Sequence, residues 1–228
     1  HCIEERTLTD MKIGCCISVK HIQSVKQCQF DFAELSTKEI MAIDDGVWEE
    51  TKKIIKEAGI PVIGFNSFCG GVLPLVGPNV NFEDICQYFD KALSRASDLG
   101  CKNIGIGAPA ARIIPDNFPY AEATAQMKQF LRYAAERAAS QNVNILYEAI
   151  QPYKCNFGNH TAEIYETVKE LNISNLKMVW DVYHALVAQE TFDDAICAFD
   201  KIEHVHISSW DEARHRFYLS DKDQELTN

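Results

Sequence analysis

The chain has 228 residues, 46% apolar and 24% charged, with 33 acidic residues against 22 basic ones and a formal charge of −11. Composition so near the globular average excludes a mainly disordered or fibrous chain, and the length suits one α/β domain of ~200–250 residues. The acidic balance argues against broad surfaces for nucleic acid or anionic membrane, and no run of ~18 apolar residues predicts a membrane-spanning helix.

The start, His1-Cys2-Ile3-Glu4-Glu5-Arg6, lacks the basic-then-apolar order of a signal peptide. Met11 opens the first strand-like run, so residues 1–10 are expected to be an N-terminal extension and 11–228 a single domain. Nine cysteines stand at 2, 15, 16, 28, 69, 86, 101, 155 and 197, an odd count with no C-x-x-C spacing. Free thiols in a reducing cytoplasm are expected, rather than disulfides or a structural zinc–thiolate site.

In chain order, seven short apolar runs read as strands: Lys12–Ser18, Asp31–Leu35, Pro61–Asn66, Asn103–Gly107, Val143–Glu148, Leu176–Asp181 and Glu203–Ser208. Amphipathic segments lie between them. After a helical stub near Val19–Gln27 comes Gly46–Ala58, expected to bury Val47, Ile54, Ile55 and Ala58, with Gly59 as its stop. Phe82–Leu99 sets Ile85, Phe89, Leu93 and Ala96 on one face and ends at Gly100. Ala121–Ser140, Thr161–Leu171 (N-capped by Thr161) and Phe192–Phe199 complete the helices. Strand–helix alternation predicts a parallel sheet, as an open doubly wound sheet or a (β/α)8 barrel. No G-x-G-x-x-G follows the first strand, which weakens a dinucleotide-binding reading.

The charged residues fall at strand C-termini, where a barrel collects its chemistry at one mouth. The second run carries Glu34, the fifth ends in Glu148, the sixth in Asp181 with His184 three residues on, and the seventh carries His204 and His206. A carboxylate closing an apolar strand is costly to desolvate unless paired or metal-bound. One such residue could simply cap a helix; several at one end suggest a shared ligand. Glu148, Asp181 and His206 offer two oxygens and a nitrogen, a mixture suited to Mn²⁺ first and also to Co²⁺, Mg²⁺ or Zn²⁺. His204 shares the parity of His206, which is preferred as nearer the mouth.

On these residues the chain resembles the xylose-isomerase-like TIM-barrel superfamily, and within it the sugar-phosphate isomerase/epimerase group that includes ketose 3-epimerases such as D-tagatose 3-epimerase. Tyr147–Asn159, YEAIQPYKCNFGN, is similar to that group's E-P-L-N-R-(Y/F)-E-T-N-F-x-N motif, with Gln151 and Pro152 where the motif has Asn and Arg. Asp181-Val182-Tyr183-His184 resembles its D-x-x-H, His204-Val205-His206 its H-x-H strand, and Asp31–Leu35 its D-x-x-E-L strand.

The resemblance implies a (β/α)8 barrel. It implies Glu148, Asp181 and His206 as ligands of one divalent metal ion, with Glu148 also an acid/base and His184 a catalytic contact to a substrate oxygen. Glu34, Asn66 and either Arg214 or Arg216 would bind a small-molecule sugar. It further implies an eighth strand ending in a second acid/base Glu. The chain stops at Asn228 before such a strand, with Asp221–Asn228 resembling the approach to the last helix, so the sequence is expected to be cut short.

The implied reaction is proton abstraction beside a ketose carbonyl, giving an enediolate that is reprotonated to an epimer or isomer. The same site could instead serve a lyase, an inosose dehydratase or C-glycoside-cleaving enzyme. An apurinic-site endonuclease and a non-catalytic sugar-binding barrel are further rivals. A homo-oligomer or a partner subunit is compatible with the group.

Overall fold

The computed structural model describes residues 11–217. Seven parallel strands form one sheet in sequential order: β1 (Gly14–Ile17), β2 (Phe32–Ser36), β3 (Val62–Asn66), β4 (Asn103–Ile106), β5 (Asn144–Glu148), β6 (Leu176–Asp181) and β7 (Ile202–His206). Each lies within two residues of its sequence-based bounds. Consecutive parallel pairing throughout is the winding of a (β/α)8 barrel. No eighth parallel strand is present among the described residues, as expected. The segment 221–228 and residues 1–10 lie outside them.

Among the described residues eight α-helices accompany the strands: α1 (Ile22–Val25), α2 (Thr37–Met41), α3 (Asp45–Glu57), α4 (Phe82–Leu99), α5 (Tyr120–Ala139), α6 (Thr161–Leu171), α7 (Val182–Val187) and α8 (Phe192–Cys197). Their apolar stripes and the outward strand residues make the main core. At its centre Phe68 stacks on Phe130 at 5.3 Å and meets Tyr88 edge-on at 5.3 Å. The expected face of α4 is buried, and Gly100 closes that helix in the left-handed region at φ 77°.

The expected face of α3 is partly wrong. Ile55 and Ala58 are buried, but Val47 and Ile54 are exposed, and Trp48 is the buried anchor. Its indole N–H donates to Asp98 at 2.8 Å, and the Arg95 guanidinium lies 4.8 Å above its ring, so a large amphipathic ring takes the face that simple periodicity gave to smaller aliphatics. Thr161 is likewise the first residue of α6 rather than its cap. Its N–H and hydroxyl both donate to Glu190, a carboxylate favourably placed at a helix N-terminus.

After β7 a short antiparallel hairpin, β8 (Ser209–Trp210) and β9 (Arg216–Phe217), folds back across the strand ends. Tyr183 on α7 anchors it, its hydroxyl donating to the Arg214 carbonyl at 2.9 Å and its ring 5.5 Å from Trp210. No helix among the described residues is long and apolar enough to cross a membrane.

Candidate active site

Strand parity places the chemistry. On β7, Val205 faces outward and is exposed, as is Ile207 just past the strand, while His204 and His206 point inside. On β5, Tyr147 packs into the outer core and Glu148 turns in; on β6, Asp181 turns in and Trp180 out. Glu148 is 8% exposed and Asp181 3%.

These three meet. His206 Nδ1 lies 3.6 Å from Glu148 Oε1 and 3.8 Å from Asp181 Oδ2, and one donor atom of each residue falls within 4.8 Å of the others. Two carboxylates and an imidazole converging from three neighbouring strands fit a divalent cation, which needs an anionic, mixed oxygen and nitrogen shell. A second compact group, Cys16, Glu34 and His206, uses the opposite ring nitrogen.

Glu34 spans the opening between the two ends of the sheet. From β2 its carboxylate reaches His206 Nε2 at 2.8 Å and His204 Nε2 at 3.4 Å, both on β7. Its oxygens thus face the two histidines. Burial would raise the Glu34 pKa, but the hydrogen bonds and charges of His204 and His206 hold it well below the carboxylate range. For Glu148 burial acts in the same upward direction. The hydrogen bond from His206 and the charges of His206, His184 and Arg112 outweigh it and bring the value down to about 2. His206 itself is raised well above the usual imidazole value: burial lowers it, and Cys16, Glu148 and Glu34 more than reverse that.

Asp181 also caps α7. Its Oδ1 accepts from the His184 backbone N–H at 3.1 Å, which sets His184 beside the group. His184 is buried, its Nδ1 has no hydrogen-bond partner, and burial lowers its pKa despite the charges of Asp181 and Glu148. Asp181 Oδ2 accepts from Arg216 Nη2 at 2.8 Å. The geometry therefore separates the two arginines: Arg216 enters the site, whereas Arg214 stacks 3.6 Å over the Tyr153 ring. Asn66 lines a cleft with Cys16, Ser18, Ser36 and Glu39 at the ends of β1, β2 and β3.

Three contributors escaped the sequence reading. Arg112 is fully buried, donates to the Glu148 carbonyl at 2.9 Å, and leaves Nε and Nη1 unpartnered. Two glycines make room for carboxylates on neighbouring strands. Gly64 pairs with Glu34 in register, and a Cβ there would stand 3.0 Å from Glu34 Oε1. A Cβ on Gly107 would run into Glu148 Oε2. The signal, a glycine beside an inward carboxylate, needs the strand register to be visible. Gly107→Ala is expected to push Glu148 aside and weaken divalent-metal affinity by on the order of 10²-fold with the fold retained. Calorimetric Mn²⁺ titration checks this; unchanged affinity would show that the carboxylate tolerates the methyl.

The family model of the xylose isomerase-like TIM barrel matches residues 22–225. The chain belongs to this family. A curated relative within reach of sequence is the D-psicose 3-epimerase of Agrobacterium fabrum (strain C58 / ATCC 33970), 23% identical over 184 residues. That alignment covers 77% of this chain but only 62% of the relative's length, so the chain spans under two thirds of it. Among solved structures, the apo 3-keto-D-glucoside 4-epimerase from E. coli superposes with a TM-score of 0.71 at 19% identity, covering 87% of this chain and 79% of that one. An AP endonuclease, family 2, from Brucella melitensis gives 0.74 at 15% identity, covering 95% and 87%. At these identities the structural likenesses establish the shared barrel, and the site must decide the chemistry.

Proposed function

We propose that this chain carries the site of a divalent-metal-dependent sugar isomerase or epimerase. The observation that carries the reading is the convergence of Glu148, Asp181 and His206 at the strand ends, with the buried, unpartnered Nδ1 of His184 beside them. The psicose 3-epimerase and the 3-keto-glucoside 4-epimerase, both sugar epimerases by name, support it. The net charge of −11 speaks against a surface for nucleic acid.

In this reading Glu148, Asp181 and His206 hold the ion, Mn²⁺ being the first choice for a set with two carboxylates. A divalent ion held there would supply Lewis-acid polarisation that acidifies a C–H beside a carbonyl. Glu148, kept ionised, takes that proton and leaves an enediolate. His184 Nδ1 is the atom available to a substrate oxygen, and its neutral state suits a hydrogen bond to the developing charge. Glu34 acts as the carboxylate that fixes the ring of His206. Arg216 leaves one Asp181 oxygen to reach a sugar hydroxyl.

Proton abstraction beside a carbonyl implies exchange with solvent. The protein incubated with Mn²⁺ in heavy water should introduce deuterium beside the carbonyl of a ketose such as D-psicose, or of a 3-keto-glucoside, with inversion of a stereocentre. Loss of water or of an aglycone would assign a lyase instead. Absence of both exchange and product across ketoses, inososes and 3-keto-glycosides would remove the catalytic reading.

A further inference from the structure

His206 presents its two nitrogens to two different sets of donors. Nδ1 faces the Glu148–Asp181 pair. Nε2 faces Glu34 Oε2 at 2.8 Å, and that same oxygen lies 3.4 Å from Cys16 Sγ. Cys16 and Glu34 are direct neighbours in register on β1 and β2, so backbone pairing rather than a chance side-chain excursion holds thiol and carboxylate together. His206 closes the triangle from β7, with all three donor atoms within 4.8 Å.

The two groups differ in chemistry. Oxygen, oxygen and nitrogen favour a harder ion; sulfur, oxygen and nitrogen favour a thiophilic one. Bonds of ~2.0–2.3 Å to zinc imply donor–donor edges of roughly 3.3–3.7 Å. The 2.8 and 3.4 Å edges seen here need to open by only a few tenths of an ångström, about one rotamer adjustment of Glu34.

We propose that Cys16, Glu34 and His206 Nε2 form a second metal site, specific for a thiophilic divalent ion such as Zn²⁺ or Cd²⁺, that competes with the first for His206. The competition follows from imidazole chemistry. A neutral ring has one lone pair in its plane and one N–H. With Nδ1 as a ligand, Nε2 carries the proton and donates to Glu34. With Nε2 as a ligand, the proton sits on Nδ1 and points at Glu148 and Asp181, which closes the first site. Starting from the doubly protonated His206 ring and the Cys16 thiol, binding at the second site releases two protons to solvent, one from Nε2 and one from Sγ, and leaves the Nδ1 proton in place. Only the consequence for the first site rests on the function proposed above; the second site stands on its own three donors.

The test is metal protection of Cys16 in the full chain. Iodoacetamide alkylation is followed residue by residue by mass spectrometry, with and without Cd²⁺. A thiolate bound to metal is not free to attack, so Cys16 should react more than about tenfold more slowly with Cd²⁺ present. Cys28 and Cys197, both exposed, serve as internal controls and should be unaffected. A thiolate-to-cadmium absorption band should appear in the wild type and be lost in Cys16→Ser. Cys16 alkylating at the same rate with and without Cd²⁺, or the same band persisting in Cys16→Ser, would overturn the site. Repeating the protection in Asp181→Ala separates the two proposals: Cys16 should still be protected there even if the first site binds nothing. Loss of protection in Asp181→Ala would mean that the thiol depends on the first site and would overturn an independent second one.

Discussion

Glu148→Gln is expected to abolish turnover while leaving the barrel folded. The amide has nearly the same shape, so it still fits against Gly107, where a Cβ would collide with the side chain. What it loses is the negative charge and the ability to accept a proton from carbon. A positioned acid/base contributes typically 10²–10⁴ in rate, and loss of one anionic ligand weakens metal retention as well. A fall in kcat of at least about 10³-fold is therefore expected. The substitution also touches stability. The carboxyl is held at about 2, below its unfolded value near 4.3, so its contribution to stability is present above the unfolded value and is lost as pH falls towards 2. At neutral pH the variant lacks that contribution, and His206, His184 and Arg112 lose a compensating anion. A modest drop in Tm should accompany the lost activity. Thermal denaturation and kcat measured on one preparation check both, and unchanged kcat would remove the acid/base assignment of Glu148.

The strands were legible because parallel strands buried on both faces read as apolar runs with polar residues at the exit, and Leu176–Asp181 emerged with the bounds the sequence suggested. Long amphipathic helices were legible for the same reason: Phe82–Leu99 carries both its stripe and its glycine stop. Two short helices were not. The helices Thr37–Met41 and Val182–Val187 follow their strands without a linker, and their caps, Ser36 and Asp181, are themselves strand termini. Asp181 was read as a site residue because that is the stronger signal; its capping of the next turn is what brings His184 alongside.

The polar cluster was legible residue by residue but not in its connections. Parity alone puts Glu34, Glu148 and His206 inside. It does not show that Glu34 reaches across the opening to His204 and His206 on the seventh strand. Nor does it show that Arg112, from the segment after the fourth strand, donates to the backbone carbonyl of Glu148. Those relations depend on which residues come into register when the sheet curls. Local periodicity contains no information about that. Arg214 and Arg216 illustrate the same limit: two residues apart in sequence, they go to an aromatic rim and to Asp181 respectively, because the terminal hairpin turns between them.

Asp181→Ala gives the second large effect, and it separates binding from chemistry. Asp181 has three jobs: one oxygen caps the helix bearing His184, the other holds Arg216, and the carboxylate completes the group with Glu148 and His206. Removing it leaves a single carboxylate and one imidazole at the first site, too few to retain a divalent ion at neutral pH against water. After loading with Mn²⁺, which the thiol-containing site does not favour, elemental analysis should find near one Mn per wild-type chain and essentially none in the variant, a loss in affinity of at least about 10²-fold. Arg216 loses its buried partner, so the terminal hairpin should be cut faster by trypsin. The lost helix cap adds about 1 kcal/mol of destabilisation. The two readouts are independent. Faster proteolysis with unchanged metal content would mean that Asp181 organises the hairpin and His184 without ligating anything. No stoichiometric metal in either protein would instead leave the strand-end carboxylates as structural ions and would turn the functional reading towards a barrel that binds sugars without transforming them.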